Sequence, residues 1–242
     1  MLKRLLCGGL TALFALLAFA VHAESAAETE VRKAIEASFG KGAKIDSVRD
    51  AGFLGLYEVM IAGDLVYTDK KASYLVLGDV VDTKTRKNLT EERKAKLAQI
   101  KFSDLPLELA VKQVRGNGKR VFATFEDPHC GYCKKLAKEL QGMTDVTIYT
   151  FLYPILSPDS TEKSKAIWCA ADKAKAWNDW MINGTEPPAG KCDTPVEKVT
   201  ALGRKLNIRG TPTIFFADGS RIPGFVPAAQ IEQTINKIGA GG

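Results

Sequence analysis

Two cysteines separated only by Gly131 and Tyr132 lie between a strand-like apolar run, Arg120 to Phe125, and a helix-like run, Lys134 to Leu140. No other feature constrains the chain as strongly. A Cys-x-x-Cys pair at a strand-to-helix turn has the geometry of a redox-active dithiol. It puts the Cys130 sulfur at a helix N-terminus, where unpaired N–H groups and the helix dipole favour an anion. Cys133 follows one helical turn later, within reach to close a bond with Cys130. A thiolate at Cys130 can then attack a disulfide in another protein. Two plainer readings compete. A zinc half-site shares the spacing but needs two more ligands, and Cys169 and Cys192 have no close partner in the sequence. A purely structural disulfide across two residues would be a small strained loop.

A second element strengthens the redox reading. Gly210-Thr211-Pro212-Thr213 stands immediately before an apolar strand. Downstream of such a dithiol, Pro212 is expected to be cis and to face the cysteines, since X-Pro is the bond at which a cis peptide is accessible. That arrangement exposes the Thr211 backbone, to which an extended client segment could add as a strand. The alternative is an ordinary turn proline.

The start of the chain has the form of an export signal. Lys3 and Arg4 precede an almost unbroken apolar stretch, Leu10 to Val21, and Val21-His22-Ala23 is a small-x-small cleavage site. Cleavage after Ala23 is expected. The apolar stretch is shorter than the roughly 20 residues a spanning helix needs, and Cys7 lies too early for a lipoprotein signal. Removing residues 1–23 leaves 32 basic against 28 acidic side chains, so the net charge falls from +6 to +4. That excess is spread along the chain. It forms no basic block suited to nucleic acid. His22 leaves with the signal, and His129 becomes the sole histidine, which removes multi-histidine metal sites from consideration. No metal and no cofactor are expected. The four remaining cysteines, Cys130, Cys133, Cys169 and Cys192, suit two disulfides in an exported protein. Of three possible pairings, the two-residue spacing favours Cys130 with Cys133, and therefore Cys169 with Cys192. The latter bridge would enclose a loop carrying Trp177, Trp180, Pro187 and Pro188.

Along the chain, Val31, Ala34, Ile35 and Phe39 recur at helical spacing over residues 27–39. Short β-rich runs follow around Val48, Leu56 to Ile61, Leu65 to Tyr67 and Tyr74 to Leu77, separated by Gly52, Gly55, Gly63 and Gly78. This is a helix followed by an antiparallel meander, a small module with an available sheet edge that a second copy could pair with. Thr90 to Ile100 reads as a linker helix, capped by Thr90 and lying mostly in solvent. From about residue 107 the expected order is helix, strand, helix, strand, helices, strand, strand, helix. The strands are Arg120–Phe125, Val146–Tyr153, Thr213–Ala217 and Arg221–Phe225, and the last helix is Ala228–Ile238. This is the thioredoxin order with a helical insertion near 159–206, and it gives a mixed sheet with helices on its faces.

The segment from Phe125 through Cys130-Gly131-Tyr132-Cys133 to Leu136 resembles the active-site segment of the DsbC/DsbG family of periplasmic disulfide isomerases. Lys165 to Lys173, with Cys169, resembles the helix that carries the family's first structural cysteine. Gly210-Thr211-Pro212 resembles its cis-proline loop. The similarity spans residues 24–242, weakly at first and specifically in the second half. It implies an α+β architecture: a cystatin-like dimerisation domain over 24–85, a linker helix over 86–106, and a thioredoxin-like catalytic domain over 107–242. It also implies a periplasmic, V-shaped homodimer with associated chaperone activity that takes misfolded disulfide-containing exported proteins. A membrane reductant resembling DsbD would keep the dithiol reduced.

On this reading Cys130 attacks and Cys133 resolves. His129 stabilises the thiolate when protonated, or is simply a solvent-facing turn residue. Gly131 and Tyr132 shape the turn. Related oxidoreductases often bury an acid six residues before the first cysteine, where this chain has Thr124. Glu126 and Asp127, nearer the turn, are expected to be more exposed, which would leave no buried carboxylate to move protons. Two other activities use the same residues or surface. One is net oxidation of thiols or reduction of oxidised single cysteines, and the other is thiol-independent holding of unfolded chains.

Overall fold

The structure is a computed structural model that describes residues 24–40 and 42–240. The signal segment and Cys7 lie outside the described residues. The chain divides into two compact units, with the break between Gly78 and Asp79.

The first unit begins with helix α1 (Ala26–Phe39). Ser25 caps it: its hydroxyl accepts from the Glu28 N–H, and Glu28 in turn accepts from the Ser25 N–H. This capping box satisfies two donors that a helix start otherwise leaves open. Val31 and Ile35, one turn apart, are fully buried against Val48, Val59 and Val66. Phe39, expected on that face, is instead 61% exposed, because it is the last residue of the helix and the cluster lies a turn earlier. The sheet beneath is a meander in the order β1 (Ile45–Asp50), β2 (Tyr57–Ile61), β3 (Asp64–Thr68), β4 (Leu75–Val76). Ala62 and Gly63 join β2 to β3, both at positive φ. Such a two-residue turn matches the twist of the flanking strands.

In the second unit, helix α2 (Leu89–Leu97) is mostly exposed. Its cap is Asn88, whose side chain accepts from the Glu91 N–H, and not Thr90. Thr90 is buried within the first turn and accepts from the Val80 N–H instead. The chain beyond α2 is fixed where the Ile100 N–H donates to the Gly219 carbonyl. A Cβ at Gly219 would lie 1.7 Å from the Ile100 oxygen, so only glycine permits this approach.

The five-stranded sheet has the order β5 (Val111–Arg115), β7 (Val146–Leu152), β6 (Arg120–Glu126), β8 (Thr213–Phe216), β9 (Arg221–Pro223). The helix expected from residue 107 is only a 3-10 turn, Leu107–Leu109, followed by strand β5. Buried Val111 and Gln113 alternate with exposed Lys112 and Val114 there, the period of an edge strand rather than of a helix. β6 and β7 run parallel, joined by helix α3 (Gly131–Leu140), while the other pairs are antiparallel. Residues 122, 124 and 126 share one face of β6 because strand side chains alternate. On that face Phe122 packs with Leu136 and Leu140 of α3 and with Ile231 and Ile235 of helix α7 (Ala228–Ala240). On the other face Ala123 and Phe125 pack with Phe151, Tyr153 and Val199, the last from helix α6 (Val196–Lys205). The insertion supplies helix α4 (Pro158–Cys169), helix α5 (Lys173–Asn178) and a π-turn, Asp179–Asn183. Leu152, Ile167, Trp177, Trp180 and Met181 form one buried cluster with Cys130 and Cys133.

Candidate active site

β6 ends at Glu126, the chain turns through Asp127 to Cys130, and α3 begins at Gly131. Cys130 is the cap residue of α3. Its sulfur accepts from the Cys133 N–H at 3.3 Å and lies 3.3 Å from the Thr211 carbonyl oxygen. Both cysteines are thiols and both are buried, Cys133 completely. Their acidities diverge. The Cys133 thiol, above all, together with the backbone N–H groups of Cys133 and Tyr132, stabilises the Cys130 thiolate against the cost of burial. The Cys130 pKa is brought down to about 6. Burial pushes the Cys133 thiol strongly up, and its neighbours Cys130 and Glu126 push it further. One sulfur is therefore ready to attack at neutral pH, while the other holds its proton.

The Thr211–Pro212 peptide is cis, and Pro212 is buried with its carbonyl accepting from the Gly224 N–H at 2.7 Å. Gly131 and Tyr132 are the exposed part of the turn. Tyr132, 65% exposed, stacks on Phe225 at 6.3 Å between ring centroids. The His129 ring stands edge-on to Trp180 at 5.4 Å, and its Nε2 lies 2.6 Å from Asp159. It is packed against the insertion rather than free in solvent. Cys169 and Cys192 are joined by a disulfide that ties the end of α4 to the segment before α6.

Three features were not anticipated. Glu126 and Asp127, expected near the surface, are buried at 1% and 0% exposure. Asp127 accepts four hydrogen bonds of 2.8–2.9 Å: from the His129, Ile155 and Leu156 N–H groups and from the Ser160 hydroxyl. It fastens the dithiol turn to the loop after β7 and to the start of α4. Glu126 accepts from the Thr124 hydroxyl at 2.7 Å through one oxygen, while the other is buried without a hydrogen-bond partner. Burial, opposed by Thr124 and reinforced by Cys130, raises the Glu126 pKa to about 8. The sequence did carry a signal for this: Glu126 is two residues beyond Thr124 and so points from the same strand face. Trp180 is the third feature. Its Nε1–H donates to the Pro128 carbonyl at 2.7 Å, and Lys134 and Lys163 lie over its ring. The insertion thus braces the turn from the side.

A thiol acidified at a helix start, a protonated partner one turn on and the carbonyl that precedes a cis-proline beside them, on a mixed sheet of this order, define a thioredoxin-like thiol:disulfide oxidoreductase. Residues 107–239 match the thioredoxin-like domain family, and residues 21–91 match the disulfide bond isomerase protein N-terminal domain. The probable thiol:disulfide interchange protein DsbC of Bordetella parapertussis is 53% identical over 192 residues, covering 79% of this chain and 68% of that one. The DsbC of Escherichia coli K12 is 28% identical over 209 residues, covering 84% and 87%. A crystal structure of a disulfide interchange protein from Neisseria gonorrhoeae superimposes with a TM-score of 0.53 at 46% identity, covering 55% of this chain and 97% of that one. The chain belongs to the DsbC family of thiol:disulfide interchange proteins.

Proposed function

We propose that this protein is a periplasmic disulfide isomerase that reshuffles non-native disulfides in exported proteins. The observation that carries the reading is the placement of the Cys130 thiol at the start of α3, its sulfur accepting from the Cys133 N–H, with the fully buried Cys133 thiol one turn behind it. The Cys130 thiolate attacks a client disulfide, one client sulfur joins Cys130, and the other leaves as a thiolate. That freed thiolate attacks elsewhere in the client, and a later client thiolate displaces Cys130, so no net oxidation or reduction occurs. When rearrangement stalls, Cys133 displaces the client, which leaves reduced. The Thr211–Pro212 edge receives an extended client segment, and His129, Gly131 and Tyr132 shape the turn. The Cys169–Cys192 bridge is structural.

Residues 1–23 act as an export signal cleaved after Ala23. Residues 24–85 form a dimerisation domain, residues 86–106 a linker and residues 107–242 the catalytic domain. The match of residues 21–91 to an isomerase N-terminal domain supports a homodimer. So does the exposure of Val76 on the edge strand β4 and of Tyr74 and Leu77 at its two ends. A membrane reductant resembling DsbD resets the dithiol, and the dimer holds unfolded clients as a chaperone.

The test is refolding of a scrambled multi-disulfide protein by residues 24–242 in a glutathione buffer. Recovery of native client activity that requires Cys130 is expected. Efficient oxidation of a reduced client without rescue of the scrambled one would make the protein an oxidase instead.

A further inference from the structure

The turn that delivers Cys130 is closed by its own residues and then fastened from outside. The Cys130 N–H donates to the Asp127 carbonyl at 3.0 Å, which closes the four-residue turn Asp127-Pro128-His129-Cys130. Aspartate in the first position and proline in the second suit such a turn. The Asp127 carboxylate also accepts from the His129 N–H two residues on, at 2.8 Å, and so holds the same backbone a second time. Its other three donors come from far along the chain. The Ile155 and Leu156 N–H groups share one carboxylate oxygen, and the Ser160 hydroxyl shares the other with His129, across separations of 28, 29 and 33 residues. The middle of the turn is anchored to the same region: the Pro128 carbonyl accepts from Trp180, and His129 Nε2 lies 2.6 Å from Asp159.

A fully buried carboxylate is costly to desolvate, and two local bonds are enough to close a turn. The three distant donors add something else, a fixed position for the segment that ends at Cys130. The Cys130 sulfur must lie 3.3 Å from the Cys133 N–H and 3.3 Å from the Thr211 carbonyl oxygen at once, and a hydrogen bond weakens steeply once its geometry is lost. We propose that Asp127 is a positioning residue for the interchange reaction: by tying the turn to residues 155–160 it holds the Cys130 sulfur on the Cys133 N–H at the start of α3, and so sets how readily Cys130 attacks. This inference rests on the interchange reading above.

Charge and position act in opposite directions here, which separates them experimentally. Asp127 accepts from four donors and donates to none, as an ionised carboxylate does. A negative charge near a thiolate disfavours it. Removing that charge from an unmoved turn would make Cys130 more acidic, whereas releasing the turn would draw the N–H groups away from the sulfur and make it less acidic. Asp127→Asn replaces one oxygen by an NH2 group. With the amide oxygen on Ile155 and Leu156, the NH2 group meets the His129 N–H, donor against donor. In the reverse orientation it meets the Ile155 and Leu156 N–H groups. Either way a backbone N–H loses its acceptor and the turn is loosened. The remaining charged groups around the site are the same in parent and variant: Glu126 on β6, His129 beside Asp159, and Lys134 and Lys163 over the Trp180 ring.

The experiment measures iodoacetamide alkylation of Cys130 against pH in reduced residues 24–242, read by mass spectrometry of the Cys130 peptide, with thermal unfolding of each variant alongside. Asp127→Asn is expected to raise the alkylation midpoint from near pH 6 by about one unit, a tenfold loss in thiol ionisation. Above both midpoints its rate of attack on a peptide disulfide should remain about tenfold below the parent's, the mark of a misplaced sulfur. Ser160→Ala, which removes one of the distant donors, should raise the midpoint by less. A lower unfolding temperature with an unmoved alkylation midpoint overturns the proposal and leaves Asp127 a structural residue. A midpoint that falls overturns it too, and leaves only the effect of charge. Should Asp127→Asn fail to fold, the reading is taken on Ser160→Ala, where an unmoved midpoint overturns the proposal. Absence of any client mixed disulfide through Cys130 in Cys133→Ala, whatever the midpoints, would instead sink the interchange reading beneath it.

Discussion

At the scale of single residues, the site separates charges within a few side chains. Cys130 is acidified by hydrogen bonds to its sulfur, and Glu126 is kept neutral by burial. The two have opposite consequences for stability. A thiol with a lowered folded pKa stabilises the fold above its ordinary pKa, and that contribution is lost as pH falls through about 6. An acid with a raised folded pKa does the reverse: the fold is favoured below the ordinary value of 4.5 and penalised as pH rises through about 8. Denaturant unfolding should therefore show Glu126→Gln gaining stability over the parent progressively between those two values, by on the order of a few kcal/mol. A difference that does not change with pH would mean that Glu126 is already ionised in the resting fold. Alkylation of Cys130 by iodoacetamide should reach half its limiting rate near pH 6 rather than near the 9.0 of an ordinary thiol. A midpoint above pH 8 would contradict the hydrogen-bond account. The dithiol and the proline were legible because their chemistry depends on residue type at fixed spacing. The burial of Glu126 and Asp127 was not, since two consecutive acids beside a turn read as surface. Their burial depends on donors brought from residues 155–160 and from Thr124, which only tertiary structure supplies.

At the scale of elements, the strands and helices that carry the chemistry were legible from pattern. β6 and β7 are nearly continuous apolar runs, as parallel strands covered on both faces must be. β5 was missed because its few residues follow a proline-led 3-10 turn and alternate only briefly. The caps were partly misread: Thr90 has the composition of a cap, but Asn88 holds the position. The capping box of α1 is a simpler case, and Ser25→Ala should cost about 1 kcal/mol of the first unit's stability in thermal or urea unfolding. An unchanged midpoint would show that the box contributes nothing. The insertion is held by the Cys169–Cys192 bridge across a separation of 23 residues. Replacing both cysteines by serine should destabilise by about 3 kcal/mol on the loop-entropy estimate. The Cys130 alkylation midpoint should stay where it was. A shifted midpoint would mean that the bridge also sets the geometry of the dithiol turn, by way of Trp180 and Pro128.

At the scale of the whole molecule, an isomerase must hold a client long enough for a second thiolate to act, and residues 24–78 carry neither cysteine nor histidine. The proposed contribution of this unit is a sheet edge to which a second copy can add. Removing residues 24–85 should leave a monomer by sedimentation velocity that still reacts through Cys130 but no longer rescues a scrambled client. A truncated protein that still sediments as a dimer would contradict the role given to this unit.

Cys130 must be the sulfur that joins the client. The measurement is to mix Cys133→Ala, which cannot resolve, with a scrambled disulfide-containing client and to map the covalent product by mass spectrometry after non-reducing digestion. A client peptide bonded to Cys130 is the expected product. A covalent complex through Cys169 or Cys192, or none at all, would contradict it.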